Sequence, residues 1–214
     1  MRSGLGARHA GSAHHWASPH RAPAASGIRR RWPGLELSGK FTALSPRQKI
    51  PLLQDKDFTI GESAAIIAYL AGRYGRSGSN SLVPEEPMFF ARWLEWCFFI
   101  LTELDSSLYV MRRHGTIKGL AHLYGHAPDV VRRAGEYFRE QLPNVDIALR
   151  DGRSYLMGDQ FTTADILLTT CLTWAIDYGV GICESAEPYL ARTTARPAYL
   201  AGQQANRPKG RDAP

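Results

Sequence analysis

One stretch constrains this chain more than any other: KIPLLQDKDFTIGESAAIIAYL, Lys49–Leu70. It sets a proline after a β-branched residue at the head of an apolar run. It also sets a Glu-Ser pair where a second short run gives way to a helical pattern. The pattern predicts a strand over Ile50–Gln54, a tight turn at Asp55-Lys56-Asp57 and a return strand over Phe58–Ile60, together a hairpin. Proline cannot donate to a sheet ladder, so Pro51 belongs at the first position or edge of its strand. A helix is expected from about Glu62 to Tyr74, with Ile66, Ile67 and Leu70 marking its buried face and Gly75 stopping it. A lone hairpin is marginal in water, so this unit needs a larger body to lean on.

The sequence supplies one. Lys40–Leu44 reads as a short helix ended by Ser45-Pro46. Residues 75–84, GRSGSNSLVP, are Gly/Ser-rich and read as a linker. After Pro87 every pattern is helical. Trp93, Trp96, Cys97, Ile100, Leu104 and Leu108 recur at steps of three and four, predicting one long amphipathic helix. A second helix is expected over about Asp129–Leu149, kinked or split by Pro143, which removes a backbone donor and clashes with the preceding turn. Thr162 and Asp165 have the T-x-x-D form of a capping box, with Phe161 and Ile166 placed as a hydrophobic staple. The helix they open, through Ile176, is apolar on almost every side and should be the central buried one. Pro188 and Pro197 open two short C-terminal helices.

With 214 residues, 44% of them hydrophobic, the chain is long enough for one large or two small cores. No apolar run reaches the roughly 20 residues a membrane span needs, and no signal-peptide pattern is present. Cys97, Cys171 and Cys183 are few, odd in number and widely spaced, so reduced thiols of a cytoplasmic protein are expected, not a disulfide framework. The net charge of +6 is local. Residues 1–34 carry six arginines and no acid, while the remaining 180 residues hold 20 basic and 20 acidic side chains. That first segment shows neither strand nor helix periodicity and reads as disordered.

The order of hairpin, Glu-Ser, helix, linker and all-helical body resembles the glutathione S-transferase superfamily, in its bacterial cytosolic form. Three segments carry the resemblance: ALSPRQKIPLLQDKDFTIGESAAIIAYLAGRYG (43–75), YLMGDQFTTADILLTTCLTWA (155–175) and YLARTTARPAYLAG near the C-terminus. It covers roughly residues 36–202. It implies α/β plus all-α architecture: a thioredoxin-like N-terminal domain, here incomplete, followed by an all-helical C-terminal domain. The boundaries expected are an atypical basic segment at 1–34, the partial thioredoxin-like domain at 35–75, a linker at 76–86, the helical domain at 87–202 and a polar tail at 203–214. The resemblance implies a cis bond before Pro51, which bares the Ile50 backbone so that the tripeptide glutathione, the co-substrate, adds as a strand. It implies that the γ-glutamyl carboxylate meets Ser63 and the helix start, that Glu62 holds the γ-glutamyl ammonium or shapes the turn, and that Lys49 meets the glycyl carboxylate. Tyr109, Arg112 and Arg113 end the long helix, where the family often builds its pocket for the small electrophilic substrate. The activity implied is conjugation of the glutathione thiol to that electrophile, in a homodimer formed through the hairpin domain and the Trp93–Leu108 helix.

One part of the family pattern is missing. The residue that activates the thiol comes from a first strand and helix, and residues 1–34 contain neither. Ser3, Ser12, Ser18 and Ser26 do not follow an apolar strand, so no catalytic residue is nominated. The segment reads as a replacement of the usual start, of the kind a shifted reading frame or gene start produces; the upstream nucleotide sequence tests that. Two other classes stay open: a non-catalytic scaffold of the same fold that binds partners through its helical body, and, more weakly, a nucleic-acid binder using the arginine-rich segment. That segment also has some features of a mitochondrial transit peptide, without the continuous apolar face. No metal site is expected, since His9, His14, His15 and His20 lie where no fixed geometry is predicted.

Overall fold

The structure, a computed structural model, describes residues 43–47, 49–75, 81–117 and 119–206. Expectations for residues 1–34, for most of the Lys40–Leu44 helix, for the first half of the linker and for the end of the polar tail lie outside them; Ala43 and Leu44 are helical.

A small N-terminal sheet is followed by a helical C-terminal body. Strands β1 (Leu52–Asp55) and β2 (Phe58–Gly61) pair antiparallel, with Leu52 opposite Gly61 and Asp55 opposite Phe58. The strand therefore starts two residues later than its apolar run suggests, after Ile50 and Pro51, and Asp55 belongs to the ladder. Only Lys56 and Asp57 turn the chain, Lys56 with φ 55°.

Helix α1 (Ser63–Tyr74) follows at once. Its most buried residue is Ala71; Leu70, expected inside, is 37% exposed. A small residue brings α1 close to its support where a leucine would hold it off. Gly75 does end the helix, but in an extended conformation, and the reason is close approach: a Cβ there would sit 2.1 Å from the Ala71 carbonyl oxygen. Asp55 locks α1 to the hairpin. Its Oδ2 accepts from the Tyr69 hydroxyl at 2.8 Å and from the Tyr74 hydroxyl. These bonds, Tyr74 first, hold the Asp55 carboxyl below the usual carboxylate range.

The body begins with α2 (Pro87–Phe99), whose N-cap Glu86 accepts from the Met88 and Phe89 N–H groups. The long helix expected over Trp93–Leu108 is not one α-helix. A π-helical segment, Ile100–Asp105, interrupts it before α3 (Ser106–His114). Ile100, Leu104 and Leu108, at steps of four, are all fully buried. Hydroxyls serve the carbonyls there: Thr102 Oγ1 donates to Phe98 O and Ser107 Oγ to Glu103 O, both at 2.9 Å.

A single turn, α4 (Ala121–Tyr124), leads to α5 (Pro128–Leu149). Of the kink or split expected at Pro143, the split does not occur: α5 runs through it. Pro143 lies on the solvent side, while Phe138, Leu142, Val145 and Leu149 pin the opposite face into the core. That packing outweighs the missing backbone bond. Helix α6 (Thr163–Asp177) is central, with Leu168, Cys171, Leu172 and Ala175 buried, although Ile176 is 52% exposed. Helices α7 (Ala186–Thr194) and α8 (Pro197–Ala205) close the body. Ser81 and Leu82, read as linker, are tied down: Gln160 Nε2 donates to Ser81 O at 2.6 Å and the Thr163 N–H to Leu82 O at 2.9 Å. Phe161 meets Tyr155 edge to face and lies under the Arg196 guanidinium, contacts that the staple pattern alone did not predict.

Candidate functional site

The hairpin register sets the site. With Leu52 opposite Gly61, the Ile50–Pro51 and Glu62–Ser63 pairs come to the same end of the hairpin.

The loop before Pro51 is anchored by Ser45, which is 5% exposed. Its hydroxyl donates to the Lys49 carbonyl at 3.2 Å and accepts the Lys49 N–H at 3.3 Å. Both backbone polar groups of Lys49 are thereby engaged, and its side chain stays exposed. Ile50 differs. It is 69% exposed, its bond to Pro51 is cis, and among the described residues neither its N–H nor its C=O has a partner. An apolar residue so exposed, just before β1 and with two backbone groups unpartnered among the described residues, is a template for a further strand.

Across from it, Glu62 is the N-cap of α1 with φ 66° and ψ 119°. A non-glycine residue held there is sterically strained, and such strain collects at functional sites. Its carbonyl starts the helix ladder, accepting the Ile66 N–H at 2.9 Å. Its carboxylate does not cap the helix. It pairs instead with Arg47, Nη1 to Oε1 at 2.5 Å. Both side chains are mostly exposed, so the pair contributes at most about 1 kcal/mol to stability. Its effect is local: the negative charge is neutralised and held away from the helix axis.

The first turn of α1 is left open. It contains no acid and receives no side-chain cap. Ser63 is exposed and its hydroxyl has no partner among the described residues. Ala64 and Ala65 add only methyl groups beside it. A helix N-terminus with uncapped N–H groups and a free hydroxyl suits a carboxylate.

Lys49, Ile50, Pro51, Glu62 and Ser63 therefore share one end of the hairpin. Sequence reasoning missed Arg47 and Ser45. The Ser45-Pro46 turn could have flagged Ser45; Arg47 meets Glu62 only in three dimensions. Tyr109, Arg112 and Arg113 end α3 as expected, where Arg112 lies over Trp174 and Arg113 over Tyr109 and Tyr124. Cys97 and Cys171 are poorly placed as nucleophiles. Burial pushes Cys97 up to about 12 and Cys171 well above its ordinary value.

The family model for the glutathione S-transferase N-terminal domain matches residues 31–79, and that for the C-terminal domain matches residues 125–197. Glutathione S-transferase 1 of Manduca sexta is 27% identical over 172 residues, 78% of this chain and 72% of its own. A glutathione transferase structure from Methylococcus capsulatus superposes with a TM-score of 0.63 at 29% identity, covering 77% of each chain. The theta-class enzyme of Xanthomonas axonopodis pv. citri, solved with glutathione bound, gives a TM-score of 0.62 at 26% identity, again with 77% of each chain covered. Against several curated relatives the chain spans only slightly more than half their length. The chain belongs to the glutathione S-transferase superfamily.

Proposed function

We propose that this chain binds glutathione along the Ile50 backbone and the start of α1, and that its reaction is transfer of the tripeptide sulfur to a small electrophile. The observation that carries the reading is the Ile50 backbone, without a partner among the described residues, at the same end of the hairpin as the uncapped Glu62–Ser63 turn. The cysteinyl backbone of glutathione pairs with the Ile50 N–H and C=O. The γ-glutamyl carboxylate meets the Ser63 hydroxyl and the first-turn N–H groups. The γ-glutamyl ammonium meets Glu62, whose second carboxylate oxygen is not used by Arg47. Lys49 reaches the glycyl carboxylate as a point charge.

In the reaction a C–S bond forms at the electrophilic carbon as the leaving group departs with its electron pair. The thiol proton passes to solvent. A thiol is mostly protonated at neutral pH, so a residue that favours the thiolate is needed; none is assigned, because the resemblance places it within residues 1–34. The hairpin with α1 is the remaining part of a thioredoxin-like domain. The same reading makes the protein a cytoplasmic homodimer, its faces being the hairpin unit and α2. Exposed Met88, Phe89 and Phe98 on α2, and a groove of about 450 Å³ lined by Trp96, Phe99 and Ile147, support that face.

Calorimetric titration of the full chain tests the binding reading. Glutathione should bind, and cysteinylglycine, which lacks the γ-glutamyl group, should bind at least about tenfold more weakly, a difference of ~1.4 kcal/mol. No heat with glutathione, or equal affinities, would end the reading.

A further inference from the structure

Two helices of this chain begin after a glutamate, and the two glutamates behave differently. Glu86, the N-cap of α2, turns its carboxylate onto its own helix: Oε1 accepts the Met88 N–H at 3.1 Å and Oε2 the Phe89 N–H at 2.9 Å. Glu62, the N-cap of α1, makes no such bond. Its Oε1 accepts instead from Arg47 Nη1 at 2.5 Å, fifteen residues earlier in the chain. The backbones differ as well, with φ −73° at Glu86 and 66° at Glu62. Arg47 belongs to the loop whose Ser45 hydroxyl is bonded to both backbone polar groups of Lys49, so the arm that holds Glu62 starts from an anchored base.

An ion pair this exposed, with side chains 74% and 64% open to solvent, does little for stability. What it changes is the start of α1. Uncapped N–H groups at a helix start favour a carboxylate, whether it comes from the chain or from a ligand. The resident competitor is Glu62 itself. A free Glu62 carboxylate would take those N–H groups, as Glu86 does on α2, or repel a second carboxylate brought beside them. Arg47 opposes both, by occupying one oxygen and cancelling the charge.

We infer that Arg47 is a positioning residue of the groove: it holds the Glu62 carboxylate off the start of α1, and so makes the groove select ligands that bring a carboxylate to that turn over ligands that bring only an ammonium. Resting on the glutathione reading above, this role adds a residue that acts through Glu62 rather than on the ligand. If the left-handed backbone alone keeps Glu62 away, Arg47 is an ordinary surface cation and its removal leaves the selectivity unchanged.

The test is calorimetric titration of the full chain at low ionic strength, where exposed charges are least screened. The ligands are glutathione and 4-aminobutanoyl-cysteinylglycine, which keeps the ammonium and lacks only the γ-glutamyl α-carboxylate. The wild-type chain should prefer glutathione by at least about tenfold. Arg47→Gln should cut that preference at least about threefold, by weakening glutathione while the analogue binds as well as before or better. Arg47→Lys keeps the cation and should retain most of the preference. Arg47→Gln combined with Glu62→Gln should regain it, because both ligands lose the same ammonium partner and no resident charge competes. Arg133→Gln, the same charge change in the exposed Arg133–Glu140 pair, should leave it intact. A thermal melt checks that each variant is folded. No glutathione binding by the wild-type chain, or equal binding of the two ligands, ends the groove reading and the role of Arg47 with it. A wild-type preference that is unchanged in Arg47→Gln, lost to the same extent in Arg133→Gln, or still reduced in the double variant overturns the role of Arg47 and leaves the groove reading standing.

Discussion

The Tyr189 hydroxyl donates to Asp165 Oδ1 at 2.9 Å, with both residues almost wholly shut off from solvent. The same carboxylate accepts the Leu156 N–H at 2.9 Å, the Thr162 N–H at 2.8 Å and the Thr162 hydroxyl at 3.1 Å. Three separate segments thus converge on one buried acid at the start of α6. Burial raises the Asp165 carboxyl above its ordinary value, while the four donors pull it back; it pushes Tyr189 well up. The capping pattern that marks a helix start in the sequence is also the joint of the helical body.

Asp165→Ala would leave four buried donors without an acceptor. Each such group costs about 1–3 kcal/mol, so the loss should be about 3 kcal/mol or more by denaturant unfolding. Tyr189→Phe deletes one donor and should cost roughly 1–2 kcal/mol. A cost below that of Tyr189→Phe for Asp165→Ala would show that the carboxylate does not organise this region.

The three thiols should differ sharply in reactivity. Cys97 and Cys171 are buried and held protonated, Cys97 pushed up to about 12, whereas Cys183 is half-buried and close to Ser185. Reactivity follows the thiolate fraction and access. Brief iodoacetamide treatment of the native protein at pH 8, read by mass spectrometry, should label Cys183 alone; denatured protein should take three labels. Native labelling of Cys97 ahead of Cys183 would contradict the burial described.

Ser63→Ala should weaken glutathione binding about tenfold, since a hydroxyl bonded to a carboxylate is worth roughly 1.5–3 kcal/mol. The residue is exposed and its hydroxyl has no partner among the described residues, so the melting temperature should not move. Calorimetry and a thermal melt on the same sample separate the two. Unchanged affinity removes Ser63 from the site.

Much of this protein could be read along the sequence. The hairpin, α1 and the Thr162–Asp165 start of α6 are local: turn residues, period and capping chemistry lie within a few positions of one another. What escaped was decided at a distance. The π-helical segment leaves no local mark, because Ile100, Leu104 and Leu108 recur at a step that an α-helix also uses. Pro143 breaks a local rule because Leu142 and Val145 are pinned from across the core. Ala71, not Leu70, faces inward because the approach of α1 to its support is set by the body. At the site, Ile50 and Ser63 could be named from the chain, but Arg47 is joined to Glu62 only by folding, and Ser45 shows its worth only through the Lys49 backbone it anchors.

The central claim is that a peptide adds to the bare backbone at Ile50 while its carboxylate rests on the start of α1. Amide hydrogen exchange, resolved residue by residue by NMR with and without saturating glutathione, tests it most directly. The Ile50 amide and those of Ser63–Ala65 should slow markedly on binding, while amides in the core of α6 stay as they are. Exchange at Ile50 that is unchanged by bound glutathione would contradict the account.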